Sequence, residues 1–209
     1  MIEFNEKQIE ILQVAEQLFA EDGFDGTSVR DIAKKANINI AMISYYFGSK
    51  EKMLESLILY RISDMRIQLE SLYNENIPPS SKIDKMIELY IGRINKNRCM
   101  YQILHFEFST KKRELNFDGF TEVKKYNLNA LSKIIQEGQN SGEFQQNINV
   151  ALIPPLIMGT YFHFHMNKPF YLEIFNIKSE EDYNNYIATT LTQHIQKTIK
   201  ALLVYDPST

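Results

Sequence analysis

Apolar residues recur along this chain at helical spacing. Ile11, Ala15, Leu18 and Phe19 stand at i, i+4, i+7 and i+8 and draw one stripe along a helix, with Gly23 placed as its C-cap. Val29, Ile32, Ala33 and Ala36 repeat the pattern over a much shorter segment. Ser28 and Asp31 have the spacing of a capping box at its start, with Thr27 as the neighbouring cap candidate. A turn at Asn37 leads into a second short helix that ends near Phe47. Leu54, Leu57, Ile58, Arg61, Met65, Leu69 and Leu72 trace a longer helix, which Ser49 is placed to cap and Ile77-Pro78-Pro79 to stop.

The same periodicity predicts helices from about Ser81 to Asn95, Arg98 to Ser109 and Phe120 to Asn140, the last closed by Ser141-Gly142. The charged patch Lys111-Lys112-Arg113-Glu114 reads as a loop or a helix edge. A further helix begins near Asn149, takes Pro154 and Pro155 in its early turns and ends before Lys168-Pro169. Those prolines require a kink or a late start, because an interior proline removes a backbone hydrogen bond. The final helix runs from about Ser179 to Val204, with a stripe of Tyr183, Ile187, Thr190, Leu191, His194, Ile195, Thr198 and Leu202. No strand alternation and no internal repeat interrupt the series, so the class is all-α with about nine helices.

Composition narrows the class. The 209 residues are 44% hydrophobic, enough to bury a core, and carry a net charge of -3 that does not by itself advertise nucleic-acid binding. A single cysteine, Cys99, cannot staple the fold and reads as a packed thiol, which fits a reducing cytoplasm. No secretory signal pattern and no apolar run near the roughly 18 residues of a bilayer span are present, so the expected location is cytoplasmic with no membrane partner.

Charge is uneven along the chain. Met1–Gly26 holds one basic against seven acidic side chains, whereas Thr27–Lys52 holds five basic (Arg30, Lys34, Lys35, Lys50, Lys52) against two acidic. The basic stretch coincides with the helix, turn, helix pattern of Val29 to Phe47, the order of a helix-turn-helix DNA-binding unit. Asn37 suits the positive φ such turns want, after glycine. Ile38, Ile43 and Phe47 can then face inward, leaving Asn39, Ile40, Ala41, Met42, Ser44, Tyr45 and Tyr46 on the outer face and its edges.

Gly23-Phe24-Asp25-Gly26-Thr27-Ser28-Val29, Ile32-Ala33, Ala36-Asn37-Ile38 and Ile43-Ser44-Tyr45-Tyr46-Phe47-Gly48-Ser49-Lys50-Glu51 with Leu54 together resemble the DNA-binding signature of the TetR/AcrR family. The resemblance spans about Ile9 to Leu57. It implies a three-helix helix-turn-helix domain over 1–52 and a helical ligand-binding and dimerisation domain over 53–209. It also implies a homodimeric regulator, most often a repressor that leaves a palindromic double-stranded DNA operator when a small, largely apolar effector binds. By position, Thr27, Ser28, Tyr45, Tyr46 and Lys50 match phosphate-contacting or neighbouring places, and Asn39, Ile40, Ala41, Met42 and Ser44 match the recognition helix. Asn37 stands where glycine is frequent, and Ile40 where a polar or basic residue is common. With no arginine to fork onto guanine, base readout should lean on Asn39, on apolar contacts to thymine methyls and on DNA shape.

Beyond residue 53, the last two long helices are the expected dimer surface, with an intramolecular core as the alternative. Tyr101, His105 and Phe108 share one helical face and Met158, Tyr161, Phe162 and His165 another; these are the candidate effector-binding residues, and each could instead be core. His163 and His165 point apart at i and i+2, so no metal site is expected. No cofactor, phosphate loop, nucleophile elbow or HExxH motif is expected or found, which argues against an enzyme. A ligand-independent DNA-binding protein of the same fold is the second reading.

Overall fold

A computed structural model describes residues 4–110 and 112–204. Side chains of residues 63, 64 and 66 also lie outside the description, as does Lys111 of the charged patch. The described residues are helical with no strand among them. In chain order the elements are α1 (Glu6–Gly26), α2 (Val29–Lys35), α3 (Ile40–Phe47), α4 (Lys50–Tyr73), α5 (Pro79–Lys96), α6 (Arg98–Thr110) and α7 (Asp118–Asn140). A 3-10 turn (Val150–Leu152), α8 (Ile153–Met166), α9 (Lys168–Ile174), α10 (Glu180–Tyr186), a π turn (Ile187–Leu191) and α11 (Thr192–Val204) follow.

Three elements depart from the sequence expectation. Gly23 does not end α1; it breaks it, at φ 75°, and Phe24–Gly26 continue beyond the kink. α8 ends before Lys168-Pro169 as expected, but a further helix that the sequence did not announce, α9, opens at Lys168, because proline is at home in a first turn. The long last helix is interrupted by the π turn, so its buried residues are Tyr183, Ile187, Leu191, Thr192, Ile195, Ile199 and Leu203, while Thr190, His194, Thr198 and Leu202 are exposed. Pro154 and Pro155 fall in the first turn of α8 after the 3-10 lead-in, the late start their chemistry requires.

The described residues divide into two compact units, one within Met1–Arg66 and Asn97–Lys124, the other within Ile67–Lys96 and Lys125–Thr209. The core of the first unit joins Ile11, Leu12, Ala15 and Phe19 of α1, Ile32 of α2 and Ile43 and Phe47 of α3 to Met53, Leu54, Leu57 and Ile58 of α4. Met100, Ile103 and Leu104 of α6 complete it. Arg61 donates through Nε to Glu16 Oε2 at 2.9 Å, pairing the buried carboxylate of α1 with α4.

The second unit packs α5, α8, α10 and α11 together with α7. Ile83, Met86, Ile87 and Ile94 of α5 and Ile134 and Ile135 of α7 are fully buried. Phe164 anchors an aromatic stack, its ring lying near-parallel to Tyr183 at 5.6 Å and to Tyr186 at 5.5 Å. Lys82 is buried at the start of α5; its ammonium donates to the Tyr73 carbonyl at 2.9 Å, near the end of α4, and to Glu137 Oε2 at 2.8 Å. A cation there suits the negative end of α4.

Candidate nucleic-acid interface

The candidate interface is the Ser28–Ser49 segment. Ser28 and Asp31 form the capping box read from the sequence: the Asp31 N–H donates to Ser28 Oγ and the Ser28 N–H to Asp31 Oδ2. The Ser28 hydroxyl also donates to Asp31 Oδ2, and this bond, with the backbone one, holds the Asp31 carboxyl below its ordinary value.

The end of α2 is closed by two reverse bonds. The Ile38 N–H donates to the Ala33 carbonyl at 3.0 Å and the Asn37 N–H to the Lys34 carbonyl at 3.2 Å. This Schellman pattern needs a left-handed residue between them, and Asn37 supplies it at φ 51°. Asparagine therefore does here what glycine does at least cost. Asn39 is the N-cap of α3, its Oδ1 accepting from the Ala41 N–H at 2.8 Å. Asparagine directly before an apolar helix start is a readable cap signal.

Within α3, Ile43 and Phe47 point into the core and the opposite face is open. Tyr45 is 82% exposed and Ile40 41%, with Asn39, Ala41 and Ser44 also exposed. Met42 and Tyr46 are half-buried, Tyr46 leaning on the core cluster. The two tyrosines are thus unlike: Tyr46 is braced on the core, and Tyr45 stands in solvent with its ring edge-on to that of Tyr46, 5.2 Å between centroids. Arg30, Lys34, Lys35 and Lys52 are exposed nearby in sequence.

Two candidates turn inward. Thr27 is buried, and its hydroxyl faces the Gly23 carbonyl at 2.8 Å and the Leu18 carbonyl at 3.1 Å. It is a tie within α1, not a surface hydroxyl. The Lys50 ammonium donates to the carbonyls of Phe24 and Thr27, each at 2.8 Å, and sits 4.2 Å from the Phe24 ring centroid. A lysine opening a helix beside a serine cap looks like a free surface charge in sequence; its partners lie more than twenty residues upstream, where no local signal points.

The candidate effector residues are distributed over both compact units. In the first, Tyr101 is half-buried against the core, His105 is exposed, and the Phe108 ring lies tilted against those of Phe117 at 4.8 Å and Phe120 at 5.6 Å. In the second, Tyr161 is fully buried and donates to Asn95 Oδ1 at 3.0 Å, while His165 Nδ1 lies 3.1 Å from the Tyr183 hydroxyl. Met158 and Phe162 are half-buried on the same helix. Among the described residues no three His, Cys, Asp or Glu side chains are grouped to hold a metal ion, and no helix is long and apolar enough to cross a membrane.

Residues 11–57 match the profile of the bacterial regulatory proteins, tetR family, and residues 61–167 that of the YsiA-like protein, C-terminal region. The fatty acid metabolism regulator protein of Bacillus subtilis (strain 168) is 27% identical over 154 residues, covering 74% of this chain and 79% of that protein. The transcriptional regulator FadR from Bacillus subtilis, solved in complex with stearoyl-CoA, superposes with a TM-score of 0.69 at 22% identity, covering 93% of this chain and 98% of that one. The fatty acid degradation regulator FadR from Bacillus halodurans superposes at 0.71 with 23% identity, covering 97% of each chain. At these identities the structural likeness is one of fold.

Proposed function

Because the chain belongs to the tetR family of bacterial regulatory proteins, it is a DNA-binding transcriptional regulator, and we propose that it is a homodimeric repressor of a palindromic operator, released by a long-chain acyl thioester. The observation that carries the DNA half is the face of α3: Ile43 and Phe47 fix the helix from behind, while Asn39, Ile40, Ala41, Ser44 and Tyr45 stand exposed in front. Ile40 and Ala41 offer methyl groups to thymine, and Asn39 keeps its amide N–H donors while its oxygen caps the helix. Tyr45, the braced Tyr46 and the exposed cations of α2 supply phosphate contacts. Two copies of α3 reach successive major grooves when they stand about 34 to 36 Å apart.

The effector class is supported by the relatives, one named for fatty acid metabolism and one solved with stearoyl-CoA. The half-buried Met158, Phe162 and His165 on one face of α8 are the effector contacts. Binding lowers operator affinity by the effector's preference for the conformation that does not fit DNA.

The test is enrichment of DNA from a random pool, followed by competition. A palindrome of two short half-sites is expected, released by stearoyl-CoA but not by coenzyme A alone. No enriched sequence at low salt would sink the DNA reading. A palindrome indifferent to stearoyl-CoA would sink only the effector class, and would leave the ligand-independent DNA-binding protein as the better account.

A further inference from the structure

The turn from Gly23 to Thr27 leads directly into the Ser28 cap of α2, so its geometry sets how α2 and α3 are presented. Gly23, at φ 75°, breaks the helical ladder there. Side chains from elsewhere in the same compact unit hold the turn instead. Lys50 grips the Phe24 and Thr27 carbonyls from the start of α4. The second grip comes from Arg113, in the segment between α6 and α7. One guanidinium nitrogen donates to Asp25 Oδ1 at 2.6 Å and another to Glu107 Oε1 of α6. The guanidinium carbon lies 4.0 Å from the Phe24 ring centroid, with the Lys50 ammonium 4.2 Å from that centroid. Phe24 is buried and held by two cations, each worth more near a desolvated ring than in water.

Glu107 gives this arrangement its direction. It is 4% exposed, and its Oε2 has no hydrogen-bond partner among the described residues. A buried carboxylate needs a partner charge, and Arg113 is the cation bonded to it. Arg113 is thereby fixed on α6 from one side, through a charge-assisted bond, and reaches Asp25 and Phe24 with the rest of its planar fork. A lysine could not span three such contacts.

We propose that Arg113 is a positioning residue for DNA binding, fastening the turn that precedes α2 to α6 so that the reading helices are held in their binding-competent setting. This rests on the DNA-binding reading above. No contact between Arg113 and DNA is involved, and that separates it from the phosphate-binding cations.

The measurement is affinity for DNA enriched by the unmodified protein, at salt concentrations from about 50 to 200 mM, for Arg113→Met and for Arg113→Met with Glu107→Gln. The double variant removes the stranded carboxylate charge, so a folded protein is available even if the single variant is not. Binding is read well below each variant's unfolding temperature. The expected result is affinity lowered about tenfold, the scale of one lost charge-assisted bond, with the slope of log K against log salt unchanged. A folded variant binding within twofold of the unmodified protein would show that Arg113 only stabilises the fold, and would overturn the proposal. So would a slope reduced by about 1.8 per dimer, the mark of one lost phosphate contact in each half. An unmodified protein that enriches no sequence overturns the function itself; one that enriches a palindrome bound equally by the variants overturns only this role.

Discussion

Ser28 uses one oxygen twice, accepting from the Asp31 N–H and donating to the Asp31 carboxylate. The Asp31 carboxyl is held down by that hydroxyl first and by the Ser28 N–H second. A group lowered in the folded state contributes stability that is present above its unfolded value and is lost as pH falls through the lowered folded value. Carboxyl NMR titration is expected to find Asp31 below 3.8, the ordinary value, and to find it moved back toward that value in Ser28→Ala. No movement would mean the hydroxyl bond is not made in solution. At this scale the sequence was informative where a residue acts on its near neighbours: the capping box and the left-handed Asn37 are local chemistry. Lys50 was opaque for the opposite reason, since its partners are the carbonyls of Phe24 and Thr27, far from it in sequence; Thr27 turns back onto the Gly23 and Leu18 carbonyls of α1, a choice its place beside the Ser28 cap did not signal.

Between elements, Gly138 shows how α7 is finished. The chain reverses at Gly142, at φ 78°, and lays the Phe144 ring against the helix at Gly138. A β-carbon at 138 would lie 2.0 Å from Phe144 Cδ2, so the ring must leave. Gly138→Ala is expected to destabilise the protein by about 1 to 3 kcal/mol despite alanine's better helix propensity, measured by urea unfolding. A gain in stability would refute the packing of Phe144. The sequence marked Ser141-Gly142 as the stop but could not show that an earlier glycine receives a ring. The unexpected α9 has a similar origin: Lys168-Pro169 is a stop for α8 and a start for the next helix, and both readings of a proline are physically sound.

For the whole chain, helical class and order followed from periodicity, because a stripe repeated at 3.6 residues per turn is robust to local error. Where the compact units divide did not, since α4 and α7 each run through the division without a break in pattern. The homodimer is a whole-molecule expectation with its own check. Light scattering is expected to give twice the 24.5 kDa chain mass in the absence of DNA. A monomer at micromolar concentration would contradict the proposed palindrome as well.

The π turn at Ile187–Leu191 bears on how this chain can change length. Tyr183, Ile187, Leu191, Ile195, Ile199 and Leu203 are buried at a strict spacing of four. On an uninterrupted α-helix each such step overshoots a full turn by about 40°, and the row would wind around to the exposed side. The wider π turn absorbs part of that drift. Remove one of the exposed residues Ala188, Thr189 or Thr190 and the step from Ile187 to the next buried leucine shortens to three, so an ordinary α-helix keeps the stripe on the core side. The turn is thus a place where a single codon can be lost with the buried stripe kept in register, while the same deletion in the middle of α3 would swing Phe47 off its seat.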